Sequence, residues 1–106
     1  MKNALSAIFV ILTFAVVFSG VSLAQSGADL FKAKCAMCHG PDGKGQTATG
    51  KTMNIRDLGS AEVQSQSDAD LTNIITNGKA KMPKYDGKLT KDQINDVVKY
   101  IRTLKH

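Results

Sequence analysis

The chain has 106 residues, a formal net charge of +5 and two cysteines. That length is expected to hold one domain at most. Two cysteines exclude a disulfide framework, and the basic balance suits acidic partners without any motif for nucleic-acid recognition.

The N-terminus reads as a targeting segment. Lys2 precedes an almost purely apolar run over residues 8–18, broken only by Thr13, and small residues follow at Ser19, Gly20, Ser22 and Ala24. This order predicts a secretory signal peptide over 1–24, cleaved after Ala24, with the functional domain over 25–106. The competing reading is an uncleaved membrane anchor, because no charge falls between Lys2 and Asp29 and a bilayer needs about 20 apolar residues. Either way the domain is exported, to the periplasm if cleaved and to the membrane surface if not. A domain of roughly 80 residues usually needs a staple, a metal or a cofactor to complete its core.

Residues 27–35 predict a short helix with Asp29 in its first turn, Lys32 and Lys34 later, and Leu30, Phe31 and Ala33 facing inward. Residues 39–54 contain four glycines among short polar residues, with Pro41 and Asp42-Gly43 marking turns, and predict a loop. A short helix is expected from Ser60. A longer one over 68–77 has Ser67 and Asp70 as its start signal, Leu71, Ile74 and Ile75 as its apolar face, and Asn77-Gly78 as its stop. Residues 79–88 form a lysine-rich loop containing Met82-Pro83. Thr90 and Gln93 make a capping box ahead of Ile94, Val97, Val98, Ile101 and Leu104 at helical spacing. No alternating strand and no internal repeat is visible, so the domain is expected to be all-α.

The chemistry concentrates in Cys35-Ala36-Met37-Cys38-His39-Gly40. C-x-x-C-H is the attachment signature of covalent c-type haem. Positions i, i+3 and i+4 share a helical face, so two thiols and an imidazole point the same way. Cys35 and Cys38 are therefore the candidate thioether residues of one haem c, and His39 the candidate axial iron ligand. A structural zinc site is the weaker reading, since it needs about four ligands and the adjacent Cys38 and His39 fit one tetrahedron poorly. A thioredoxin-like pair needs a βαβ context that is absent.

Gly45-Gln46-Thr47-Ala48-Thr49-Gly50-Lys51-Thr52 matches the phosphate-loop pattern G-x-x-x-x-G-K-[ST] letter for letter. That loop needs a buried strand before it and a helix after it. His39 to Lys44 is not a strand, and the next stretch is too short before Leu58-Gly59 for the expected helix.

The second axial position has three candidates. Met37 lies inside the motif and does not reach the opposite face. Met82 sits in a polar loop between two helices, where a core methionine is out of place, and Pro83 stiffens that loop. Met53 and the terminal His106 remain as alternatives.

With these residues the chain resembles the class I c-type cytochromes, in particular the small monohaem bacterial and photosynthetic group. The resemblance spans residues 27–104. It implies a cytochrome c fold of three to five short helices, with the first and last crossing near Gly27, Phe31, Val97 and Tyr100. It places the haem cysteines at Cys35 and Cys38, the proximal histidine at His39 and the axial methionine at Met82. A backbone carbonyl that orients His39 is expected from the glycine loop. Trp is absent, so contacts to the haem propionates fall to Lys51, Asn54 or Arg56.

The resemblance implies a monomeric single-electron carrier rather than an enzyme. It shuttles between a redox donor and acceptor with acidic docking surfaces that meet Lys79, Lys81, Lys84 and Lys88. A haem sensor or weak peroxidase in which Met82 is displaced is one alternative, and a dedicated electron-transfer subunit of a larger oxidoreductase is another. Replacing both Cys35 and Cys38 by Ser is expected to abolish covalent haem, read as loss of the haem stain on a denaturing gel.

Overall fold

Helix starts in this chain are marked by hydroxyl side chains. Ser26, Thr47, Ser60, Ser67 and Thr90 each accept a hydrogen bond from a backbone N–H in the first turn they open. Each such cap contributes about 1 kcal/mol. The computed structural model describes residues 26–106, so the signal peptide expected over 1–24 lies outside the described residues. The helices are α1 (Gly27–Lys34), α2 (Ala36–His39), α3 (Ala48–Thr52), α4 (Ala61–Gln64), α5 (Asp68–Asn77) and α6 (Lys91–Thr103). Both expected capping boxes form, Ser67 with Asp70 and Thr90 with Gln93. No helix among the described residues is long and apolar enough to cross a membrane.

The all-α expectation holds, since the described residues contain only two isolated bridges, Lys79 with Met82 and Asp86 with Leu89. The described residues form six helices where three to five were expected. Two were not placed from the sequence: α2, which follows Cys35, and α3, which lies inside the glycine loop. Of these, α3 is the less expected. It is a single turn with no apolar stripe, nucleated by Thr47, whose hydroxyl accepts from the Gly50 N–H at 2.8 Å.

Helix α6 carries the core. Ile94, Val97, Val98 and Ile101 are buried along one face, each contributing at most on the order of 1.5–3 kcal/mol. Helix α1 crosses this face, and α5 packs beside it. The crossing is close because Gly27 has no side chain: a Cβ there would overlap the Asp96 carbonyl oxygen and press on Tyr100. Phe31 is fully buried at the crossing, its ring 5.2 Å from that of Tyr100. Ala33 is exposed, contrary to expectation. The buried face of α1 runs through Gly27, Leu30 and Phe31, and at about 100° per residue Ala33 falls well outside it.

Long polar side chains on α4 and α6 tie the remaining segments down. Arg102 donates to the carbonyls of Gln64 (2.9 Å) and Gln66 (2.6 Å) and pairs with Asp68. Gln64 in turn donates to the carbonyls of Leu58 (2.8 Å) and Ile101 (3.0 Å). The C-terminus closes over the same region, with the His106 N–H bonded to the Gly59 carbonyl.

Gly27→Val forces α1 away from α6 and is expected to cost about 1–3 kcal/mol of stability, measured as a lower urea midpoint of the folded protein.

Candidate functional site

The chain changes direction at Cys35. This residue ends α1, its N–H donating to the Phe31 carbonyl at 2.8 Å, and its own carbonyl accepts from the N–H groups of Cys38 and His39 at 3.2 and 3.0 Å. The resulting single turn presents Cys35, Cys38 and His39 to one cavity of about 520 Å³. Met37 points out on the opposite side and is 83% exposed. The cavity walls are otherwise mainly apolar, among them Phe31, Val63, Leu71, Ile75, Val97 and Ile101.

Burial sets the protonation states along the motif. The Cys35 sulfur is pushed up to about 11 by burial and then by the neighbouring Cys38, so it remains a thiol at neutral pH. Neither cysteine is in a disulfide. Burial also lowers the pKa of His39, favouring the neutral imidazole that acts as a ligand. Its Nδ1 is buried without a hydrogen-bond partner among the described residues. The carbonyl expected from the glycine loop to orient His39 is therefore not in place. The contact runs the other way, the His39 carbonyl accepting from the Gly45 N–H at 2.7 Å.

That bond belongs to a set that seats the glycine loop on α2. The Thr47 hydroxyl donates to the Cys38 carbonyl at 2.7 Å. A Cβ at Gly50 would overlap the Gly45 carbonyl and lie 2.7 Å from the Cys38 carbonyl oxygen, so only glycine lets α3 lie this close. The phosphate-loop resemblance dissolves here, because the Gly45 and Gly50 amides are already bonded to His39 and Thr47. Met53, Asn54, Ile55 and Arg56 follow α3 along the cavity. Lys51 is exposed and does not line it, and Arg56 pairs with Glu62 at 2.9 Å.

Met82 also lines the cavity, half-buried, in the loop after α5. Paired hydrogen bonds between Lys79 and Met82 close a tight turn, with Ala80 held at a φ of 53°. The next loop residues are anchored to α5, the N–H groups of Tyr85 and Asp86 donating to the carbonyls of Ile75 and Thr76. Met53 and Met82 thus reach the same cavity from different elements. His106 does not reach it: its Nε2 lies 2.7 Å from Asp57. That contact and the Gly59 N–H hold the Asp57 carboxyl below the usual carboxylate range.

Of the four loop lysines only Lys79 and Lys81 border the cavity, joined there by Lys34 of α1. Sequence reasoning missed Lys34 and also Tyr85, which lines the cavity and donates from its hydroxyl to the Lys34 carbonyl at 2.8 Å. The available signal was a lone aromatic residue in an otherwise polar loop.

The family described as "Cytochrome C oxidase, cbb3-type, subunit III" matches residues 22–101. A cytochrome c6 of Rippkaea orientalis is 40% identical over 95% of this chain and 92% of its own length. The chain belongs to the class I c-type cytochromes. Its cofactor is one covalently bound haem c, its function is electron transfer, and its partners are redox proteins. The solved structure of the KustC0563 c-type cytochrome superimposes with a TM-score of 0.72 at 30% identity, covering 77% of this chain and all of that one. The cbb3-type cytochrome c oxidase subunit FixP of Azorhizobium caulinodans is 34% identical over 76% of this chain and 27% of its own length. The cytochrome's cavity fits the haem in size, in its apolar walls, and in a donor set of two free thiols, a neutral imidazole and soft thioethers.

Proposed function

We propose that this cytochrome is an exported, monomeric single-electron carrier with His/Met axial ligation. Cys35 and Cys38 would hold the haem through thioether bonds, and His39 and Met82 would supply the iron ligands. The observation that carries this reading is one cavity lined both by the Cys35–Cys38–His39 turn and, from a separate element, by Met82. Met82 is preferred to Met53 because α3, which Met53 caps, is bonded to the Cys38 carbonyl and so belongs to the His39 side. Met82 instead hangs from the α5 loop.

The haem supplies a one-electron iron couple. The protein's residues tune and protect it. A thioether is a soft ligand, so Met82 favours the reduced ion and raises the potential relative to two imidazoles. The apolar walls exclude water and disfavour the extra positive charge of the oxidised ion. Lys34, Lys79 and Lys81 rim the cavity and steer acidic partners at rates that fall as salt screens them. If His39 and Met82 both bind the iron, no iron position would remain open to a substrate, which supports a carrier over an enzyme. The signal-like segment over 1–24 supports a periplasmic location with that segment removed.

A second reading, an electron-transfer subunit of a terminal oxidase, is favoured by the oxidase-subunit family match and the partial likeness to FixP. Size-exclusion chromatography of the native protein separates the two, a free carrier eluting near its 11.3 kDa mass or below it.

Met82→Ala is expected to remove the sulfur-to-iron band at the red end of the oxidised spectrum and to allow carbon monoxide to bind the reduced protein at neutral pH. Persistence of that band reassigns the ligand, with Met53→Ala as the next variant. Carbon monoxide binding by the unmutated reduced protein would instead favour a sensor.

A further inference from the structure

The two sides of the cavity are built from different parts of the chain. One side is α1 and α2, carrying Cys35, Cys38 and His39; the other includes the 79–85 loop, carrying Met82. Tyr85 belongs to both. Its N–H donates to the Ile75 carbonyl on α5 at 3.0 Å, and its carbonyl accepts from the N–H groups of Lys88 and Leu89 at 2.9 and 3.0 Å. Its side chain leaves this anchored backbone, lines the cavity, and donates from the hydroxyl to the Lys34 carbonyl at 2.8 Å.

The acceptor is the last carbonyl of α1, one of the helix-end groups that no intrahelical N–H satisfies, and it lies directly before Cys35. Among the described residues this is the one hydrogen bond that joins the Met82 loop to the α1–α2 segment. The Met82 turn itself closes only locally, by the Lys79–Met82 pair, with a non-glycine residue at positive φ inside it. Such a turn has little rigidity of its own, so the bond across the cavity limits how far the loop swings.

We propose that Tyr85 is a positioning residue: its hydroxyl latches the Met82 loop to the end of α1, holding Met82 over the cavity and restricting entry of small exogenous ligands. The inference rests on the His39/Met82 reading for the identity of the held ligand. The latch itself rests on the Tyr85–Lys34 bond. Phenylalanine keeps the ring and its packing and lacks only the donor, so Tyr85→Phe isolates the latch.

The test uses the haem-loaded, oxidised protein and imidazole as the entering ligand, followed by stopped-flow absorbance, with Met82→Ala measured in parallel. Loss of one hydrogen bond corresponds to a rise of roughly two- to tenfold in the imidazole binding rate of Tyr85→Phe, with the red-end band retained in the resting protein. An unchanged rate overturns the latch, even if the variant unfolds at a lower temperature, because a merely structural role alters stability without altering entry. If Met82→Ala keeps its band while Tyr85→Phe admits imidazole faster, the latch stands and the ligand it holds is reassigned. A lost band in Met82→Ala with an unchanged Tyr85→Phe rate upholds the ligand and removes the latch.

Discussion

The structure depends on an apolar cavity of about 520 Å³ at its centre. The described residues bury ten apolar side chains, and several of them, among them Leu71 and Ile75 of α5 and Val97 and Ile101 of α6, also line the cavity. A domain of roughly 80 residues has little surplus core, so the haem is part of the packing as well as the site of chemistry. Among the described residues no polar or charged residue is buried in the core, which suits walls made for a large flat apolar group.

Everything else positions those walls. Gly27 lets α1 approach α6 at backbone contact, which sets where α1 ends and hence where Cys35 stands. The C-terminal carbonyls of α2 are then used twice, by the Gly45 N–H and the Thr47 hydroxyl, to bring the glycine loop back over the motif. A helix end leaves carbonyls unsatisfied, and this chain uses them as attachment points for the loop that completes the cavity. The Tyr85–Lys34 bond repeats the device at the end of α1.

The charged residues divide into two groups. Arg102, Asp57 and His106 are engaged with other segments away from the cavity, in bonds that stitch loops to helices. The exposed lysines at the cavity rim have no such duties, since Lys79 and Lys81 form no ion pair among the described residues. Surface charges that stabilise nothing locally are free to act at a distance, where they influence encounter rates more than fold.

Local sequence rules determined most of this protein. The C-x-x-C-H spacing specified a shared face because one helical turn does so in any context, and the caps at Ser67 and Thr90 marked α5 and α6 through bonds that span three residues. Heptad-like spacing on α6 named its buried face before any partner was known. Tertiary structure decided what depends on contacts between distant residues. Ala33 turned outward because α1 meets α6 through Gly27, Leu30 and Phe31, a face from which Ala33 is rotated away. The α3 turn arose inside a glycine loop because Thr47 caps it while bonding to Cys38. Met53 joined Met82 in the cavity, and His106 left the list of ligand candidates by pairing with Asp57 at the far end of α6. Tyr85 acquired a role only when the loop folded against α1. Side-chain periodicity is local information; which carbonyl a hydroxyl meets 51 residues away is settled only when the chain has closed around its cofactor site.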